Sequence, residues 1–220
     1  MVIQAFPPIQ TANEDGLLAL GGDLEIPSLL LAYSKGIFPW PISMEYPLAW
    51  FSPNPRGIIK YVDLKIPKSM QKIINKNNFE IRFNQNFQDV IRQCALAKNR
   101  KGQTGTWITE DIIHSYMDFH HAGYAYSAET YLEGKLVGGI YGVCIGNFVS
   151  GESMFYTKSN ASKFALIMLL EYLNTKGVTW LDTQMVTPVV ETLGGQEIPR
   201  EQFIKMLKSL KPRPISSPIF

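Results

Sequence analysis

Phe148-Val-Ser-Gly-Glu-Ser-Met-Phe155 and Val178-Thr-Trp-Leu-Asp-Thr-Gln-Met-Val186 read as two apolar strands, with a helix over Ala161–Thr175 between them. Asn160 stands at the start of that helix and Gly177 stops it. Strand, helix, strand makes a β-α-β crossover, which puts one parallel pair into the sheet that the rest of the chain builds. Both strands carry acids among apolar neighbours: Glu152 in the first, Asp182 with the amide Gln184 in the second. Strand side chains alternate, so Asp182 and Gln184 share a face, as do Glu152 and Met154, with Ser153 and Phe155 on the other. Burying a carboxylate there is costly unless it is paired or used. The crossover brings Glu152 and Asp182 towards one sheet edge, where two carboxylates bordering a cleft can bind a cation or handle a proton. Two structural alternatives stand beside this: Asp182 capping a turn at the strand end, and Glu152 as a cap or ion-pair partner.

Working outward, Tyr124–Leu132 and Lys135–Ile145 read as strands joined at Glu133-Gly134, a compact hairpin turn. Phe87, Val90, Ile91, Cys94 and Ala95 have the spacing of an amphipathic helix over Phe87–Ala97. Thr109 caps a helix that runs to about His121 and is stopped by Gly123. Lys68–Asn75 reads as helix, Phe79–Phe83 as a short strand and Arg200–Leu210 as a last helix. The expected fold class is α+β: a mixed, mostly antiparallel sheet flanked by helices. Residues 1–62 differ in character. Breakers recur in Phe38-Pro-Trp-Pro41 and Ser52-Pro-Asn-Pro55, which argues for a small irregular N-terminal domain ahead of a regular one over 63–220. Asp23–Gly36 holds one short helix, with Pro27 near its first turn. Tyr33, Phe38, Trp40, Trp50 and Phe51 make an aromatic wall, either core or a stacking platform for bases.

The 220 residues, 18% charged and 45% hydrophobic, are those of an ordinary globule able to bury a sizeable core. No basic-then-apolar leader opens the chain and no apolar run is long enough to span a bilayer, so a cytosolic location is expected. Cys94 and Cys144 lack metal spacing and read as small core residues. His114, His120 and His121 fall in one helix and form no metal motif; Gly138-Gly139 and Gly194-Gly195 are not phosphate loops. Ser153 lacks a Gly-x-Ser-x-Gly frame. The net charge is only +2, but basic residues cluster. Arg56, Lys60, Lys65, Lys68, Lys72 and Lys76 face the single acid Asp63, and Lys68, Lys72 and Lys76 have helical spacing. Lys205, Lys208, Lys211 and Arg213 form a second cluster. Such stripes suit a polyanion, or are simply solvated helix faces. Trp107, before the Thr109 helix start, is either a core residue or another stacking surface.

Several motifs, in order, carry a family resemblance. They are Gly16-Leu-Leu-Ala-Leu-Gly-Gly-Asp-Leu24, Ala32-Tyr-Ser-Lys-Gly-Ile-Phe-Pro-Trp40, Trp50-Phe-Ser-Pro-Asn-Pro-Arg56 and Thr106-Trp-Ile-Thr109. Leu136-Val-Gly-Gly-Ile-Tyr-Gly-Val143, Gly151–Phe155, Asn160-Ala-Ser-Lys163, Leu181-Asp-Thr-Gln184, Leu193-Gly and Glu197-Ile-Pro-Arg200 continue the series. Over nearly its whole length the chain resembles the bacterial leucyl/phenylalanyl-tRNA–protein transferases. The resemblance implies transfer of Leu or Phe from aminoacyl-tRNA to the α-amine of proteins beginning with Arg or Lys, a step of the N-degron pathway. It implies an acetyltransferase-like second domain that does not use acetyl-CoA, and no metal or other cofactor. By similarity, Gln184 accepts a hydrogen bond from the attacking amine, Asp182 orients that group, and Glu152 holds the cationic acceptor or shapes the site. Trp40 and Trp107, with Tyr33, match positions lining the 3′-adenosine pocket. Met154, Ile140 and Leu169 would wall the Leu or Phe side chain, and Lys68, Lys72 and Lys76 would meet acceptor-stem phosphates. A monomer is expected. Thr183 and Val189 depart from the family pattern, which has Cys and His there in other members. Two rivals are an acyl-CoA-dependent N-acetyltransferase and a non-enzymatic tRNA-binding module.

Overall fold

The structure is a computed structural model that describes residues 2–42, 46–97, 106–213 and 218–220. Its N-terminal part holds β1 (Leu17–Leu20), α1 (Ile26–Ser34), β2 (Phe38–Pro39) and β3 (Ala49–Phe51), and the three strands form an antiparallel sheet in the order β1-β3-β2. Pro27 sits in the first turn of α1, where its missing N–H and fixed φ cost nothing. Part of the expected aromatic wall is core: Trp50 is fully buried and donates its indole N–H to the Gly21 carbonyl.

β4 (Arg56–Lys60) is the first strand of the main sheet, although its sequence lies next to the Pro-rich segment. There follow α2 (Lys68–Lys76), β5 (Glu80–Phe83), α3 (Phe87–Leu96), α4 (Glu110–His121), β6 (Ala125–Leu132), β7 (Lys135–Ile145) and β8 (Phe148–Tyr156). The chain ends with α5 (Ala161–Thr175), β9 (Trp180–Gln184), α6 (Pro188–Thr192), β10 (Gln196–Ile198) and α7 (Arg200–Ser209). The seven strands run in the order β10-β4-β9-β8-β7-β6-β5. Their pairings are antiparallel except β8 with β9, which is parallel and spanned by α5, as the crossover required.

Local signals account for most boundaries. The Thr109 hydroxyl accepts the Ile112 N–H and opens α4. Glu133 and Gly134 both have positive φ, the backbone a two-residue hairpin turn needs. Asn160 does not cap α5 through its side chain; it occupies the N-cap position with φ 68, a left-handed backbone that Asn tolerates. The sheet is packed on both faces. Ile58, Phe87, Ile112, Tyr116, Phe119 and Phe148 belong to one core cluster, and Ile59, Tyr126, Phe164, Leu169 and Leu181 to the other. Ile58 and Ile59 fall on opposite sides, as strand alternation requires. Nine of the α5 residues are buried, so this helix is apolar nearly all round. Among the described residues no helix is long and apolar enough to cross a membrane.

Candidate active site

Asp182 is wholly buried on β9, and its cost is met by a partner from β4. Arg56, only 1% exposed, grips the carboxylate with two bonds, Nε to Oδ1 at 2.9 Å and a terminal nitrogen to Oδ2 at 2.6 Å. The other terminal nitrogen donates to the Gly36 carbonyl at 3.1 Å. The guanidinium also lies over the Phe38 and Phe203 rings, at 4.9 and 4.5 Å from their centroids. Arg56 therefore is not one of the exposed cations of the basic cluster in which its sequence position put it. Planar, bidentate pairing is what lets a charge this deep remain satisfied.

Asp182 also caps the turn. Its Oδ1 accepts the Gln184 N–H at 2.9 Å. The Met185 N–H returns to the Thr183 carbonyl at 2.6 Å, closing a three-residue γ-turn with Gln184 at its centre. Gln184 takes φ 60 there, uncommon for a residue with a side chain. Its amide nitrogen donates to Glu152 Oε1 at 2.9 Å.

Glu152 arrives through a second irregularity. Tyr141 pairs with Ser153 and Gly142 with Gly151, which leaves Glu152 as the extra residue of a β-bulge. A bulge reverses alternation beyond it. Phe148 and Phe155 consequently share one core cluster, and Met154 packs against the other. The expectation that Glu152 and Met154 share a face is corrected on this ground. Ser150 stands beside Asp182 in the parallel ladder and donates its hydroxyl to Glu152 Oε1 at 2.7 Å. Glu152 Oε2 is buried with no hydrogen-bond partner among the described residues. Burial, joined by the Asp182 charge, raises the Glu152 pKa, while Ser150, Gln184 and the Tyr33 hydroxyl pull it down.

The structure thus brings Glu152, Asp182 and Gln184 together, and adds Arg56 and Ser150, which the sequence had not marked as site residues. Arg56 had one visible signal: it is a cation directly before the apolar run Gly57-Ile-Ile59. Trp40 and Trp107, both half-buried, meet with centroids 5.6 Å apart at 32°. Tyr33 is buried on the Glu152 side: its ring lies against Phe119 and Phe148 and its hydroxyl shares a hydrogen bond with Tyr116. Burial and the Glu152 charge hold its phenol well above the ordinary tyrosine range. Ile140 and Met154 are cross-strand partners in the second core cluster, with Leu169 wholly buried in it, whereas Tyr33, Trp40 and Trp107 pack in the first. Lys68, Lys72 and Lys76 are exposed along α2, whose Met70 faces inward.

Elsewhere, His120 stacks on Phe87 and bonds the Ala125 carbonyl. Burial pushes the Cys144 thiol up to about 12. Among the described residues no cluster of His, Cys, Asp or Glu is placed to hold a metal ion.

Residues 58–208 match the model of the family described as leucyl/phenylalanyl-tRNA protein transferase, and residues 22–54 match the model of that family's N-terminal domain. The chain belongs to the leucyl/phenylalanyl-tRNA protein transferase family. The protein of that name from Flavobacterium johnsoniae is 46% identical over 204 residues, covering 93% of this chain and 95% of its own. That from Nitrosospira multiformis is 46% identical over 207 residues, covering 93% and 88%. Among solved structures, L-PGS from Bacillus licheniformis aligns over 72% of this chain and 50% of its own, at 15% identity and a TM-score of 0.42. A GCN5-related N-acetyltransferase from Kribbella flavida aligns over 76% and 59%, at 9% identity and 0.40. Both likenesses are distant and bear on none of the chemistry. As a member of the transferase family the chain is an aminoacyltransferase. Thr183 lies in the γ-turn with its hydroxyl buried and unpartnered among the described residues, and Val189 packs against the second core cluster.

In this transferase the raised Glu152 pKa has a signed consequence. Folding favours the protonated acid, so its stabilising contribution is full below the unfolded value of about 4.3 and is lost as pH rises through the folded value. Glu152→Gln keeps an acceptor for Ser150 and Gln184 and removes the charge. Its thermal midpoint is expected to exceed that of the wild type at pH 7 and to converge with it near pH 4. A variant less stable than wild type at pH 7 would contradict this.

Proposed function

We propose that this aminoacyltransferase moves Leu or Phe from aminoacyl-tRNA to the α-amino group of proteins beginning with Arg or Lys, a cytoplasmic step that marks them for N-degron degradation, and that it acts as a monomer. The observation that carries the reading is the orientation of the Gln184 amide. Glu152 Oε1 already accepts from Ser150 and accepts from Gln184 as well. The amide thus turns its nitrogen end to Glu152, as an ionised carboxylate that can only accept requires, and leaves the oxygen end for an incoming N–H.

An aminoacyl ester is already activated, so the protein's task is alignment and one proton. The amine nitrogen bonds to the ester carbon, the bond to the tRNA 3′-oxygen breaks, and the amine's proton ends on that oxygen. An unperturbed α-amine has a pKa of about 7.7–8.0, so it is partly neutral without a strong base. Gln184 Oε1 would hold one amine N–H along the line of attack. Asp182 would act electrostatically and by holding the turn. Glu152 would help hold the acceptor's cationic end or shape the site through the Gln184 amide that it fixes. Trp40 and Trp107 would stack on the terminal adenosine, a contact of about 1–3 kcal/mol per base. Met154, Ile140 and Leu169 would border the Leu or Phe side chain.

Lys68, Lys72 and Lys76 would meet phosphates of the acceptor stem. Changing all three to Gln is expected to weaken aminoacyl-tRNA binding and to lower the slope of log K against log salt by about 3, near one per lost contact. An unchanged slope would remove the α2 stripe from the tRNA surface.

The acyl-CoA rival fits less well. Where β8 turns into α5, the Thr157 and Lys158 N–H groups both bond the Val137 carbonyl, and the Ala161 N–H bonds Lys158. Those donors are taken up inside the protein and are not presented to a pyrophosphate. The test offers the purified chain Leu-tRNA or Phe-tRNA with peptides differing only in their first residue. Transfer to Arg- and Lys-peptides alone, with no thermal shift from acetyl-CoA, is expected. Equal transfer to every peptide would overturn the acceptor specificity, and no transfer would overturn the function.

A further inference from the structure

We propose that the dipeptide Arg56-Gly57 of β4 is a positioning unit for the transfer chemistry, holding the Asp182 carboxylate and the Gln184 turn in a single geometry. The proposal rests on the assignment of Asp182 and Gln184 to the amine-handling edge.

Arg56 acts on the carboxylate. All three guanidinium nitrogens are engaged, two by Asp182 and one by the Gly36 carbonyl, and two aromatic rings clamp the plane. The Gly36 carbonyl is itself fixed closely: a Cβ on Gly36 would lie 2.8 Å from both Phe203 and Ile204. The oxygen of Asp182 that Arg56 Nε grips is also the one that accepts the Gln184 N–H. Tilting the carboxylate therefore moves the backbone bond that shapes the turn.

Gly57 acts on the turn directly. It pairs with Gln184 in the β4–β9 ladder, and a Cβ there would stand 2.5 Å from the Met185 carbonyl carbon and 2.8 Å from its Cα. Those are backbone atoms, which cannot swing aside as a side chain would. Only a glycine lets the chain pass close enough for Met185 to close the γ-turn on Thr183. Adjacent residues thus set adjacent parts of the site, one through a side chain and the other through the lack of one. The same guanidinium touches Phe38, two residues before Trp40, so the aromatic platform and the Gln184 amide share a support. Arg56 and Gly57 need not touch substrate; they act through Asp182 and Gln184.

The test measures kcat, the KM for aminoacyl-tRNA and the folded fraction for Arg56→Lys and Gly57→Ala, with Gln184→Asn in parallel. A misplacement of about 1 Å in an aligned site costs about a hundredfold, so each variant is expected to lose at least about fivefold in kcat per folded molecule, with KM changed less than about threefold. If Gln184→Asn loses turnover while Arg56→Lys and Gly57→Ala both fall less than about fivefold, the two residues are structural only and the positioning proposal is overturned. If Gln184→Asn itself turns over normally, the reading of the site fails instead. Should Arg56→Lys not fold, Gly57→Ala, a one-methyl change, decides alone.

Discussion

Replacing Gln184 by Asn is expected to lower kcat for transfer about a hundredfold while leaving aminoacyl-tRNA affinity within about threefold, because removing one preorganised polar contact at a reacting centre costs about 10²–10³ in rate. Asn is the informative substitution. It tolerates the left-handed backbone that Gln184 adopts, so the γ-turn survives, and it shortens the amide by one methylene. The shortened side chain cannot both reach Glu152 Oε1 and present its oxygen where Gln184 does. Gln184→Ala should lose as much turnover and add a modest loss of stability, since Glu152 loses the amide donor at its Oε1. Stopped-flow or quenched transfer with saturating Arg-peptide separates rate from binding. Near-normal turnover in both variants, at unchanged affinity, would assign the amide to architecture.

Replacing Arg56 by Met is expected to destabilise the fold by about 3–5 kcal/mol, the usual cost of removing one partner from a buried ion pair. The cost comes from what is left behind. Asp182 would remain buried among apolar side chains with its main donors gone, and the Gly36 carbonyl would lose a partner. For a chain of this length a loss of that size lowers the thermal midpoint by roughly 6–20 °C. The double variant Arg56→Met with Asp182→Leu should recover most of the stability, because an apolar pair of similar volume often does as well as a buried ion pair. It should recover none of the transfer. Urea unfolding of the three proteins measures this. A single-variant loss below about 1 kcal/mol would mean that the pair is solvated and not the anchor described above.

Much of this architecture was legible in local pattern. The Glu133-Gly134 hairpin, the Thr109 cap and the β8-α5-β9 crossover each depend on a few neighbouring residues, and each appears where the spacing put it. The elements that escaped depend on partners far along the chain. β4 is five residues beside a Pro-rich stretch, buried on both faces, so it shows no alternation; only its pairing with β9 and β10 makes it a strand. The bulge at Glu152 is likewise a matter of register between β7 and β8, and no local pattern announces the extra residue.

Asp182 shows the same limit in the site. Its burial cost was readable, and so were the choices of pairing, capping or use. The structure shows pairing and capping together, through Arg56 and the Gln184 N–H. Arg56 lies 126 residues away in sequence and looked like one more surface cation. Gln184, by contrast, was found for an incomplete reason. Alternation put it beside Asp182, whereas a positive φ in a γ-turn aims its amide at Glu152.

The most direct test of this site is a structure of the chain with an aminoacyl-adenosine mimic such as puromycin. The base should stack against Trp40 and Trp107, and the carbonyl carbon of the aminoacyl group should lie next to the oxygen end of the Gln184 amide, with the side chain against Ile140 and Met154. A base bound away from the two tryptophans, or an aminoacyl carbonyl out of reach of an amine held by Gln184, would contradict the assignment of this edge to peptide-bond formation.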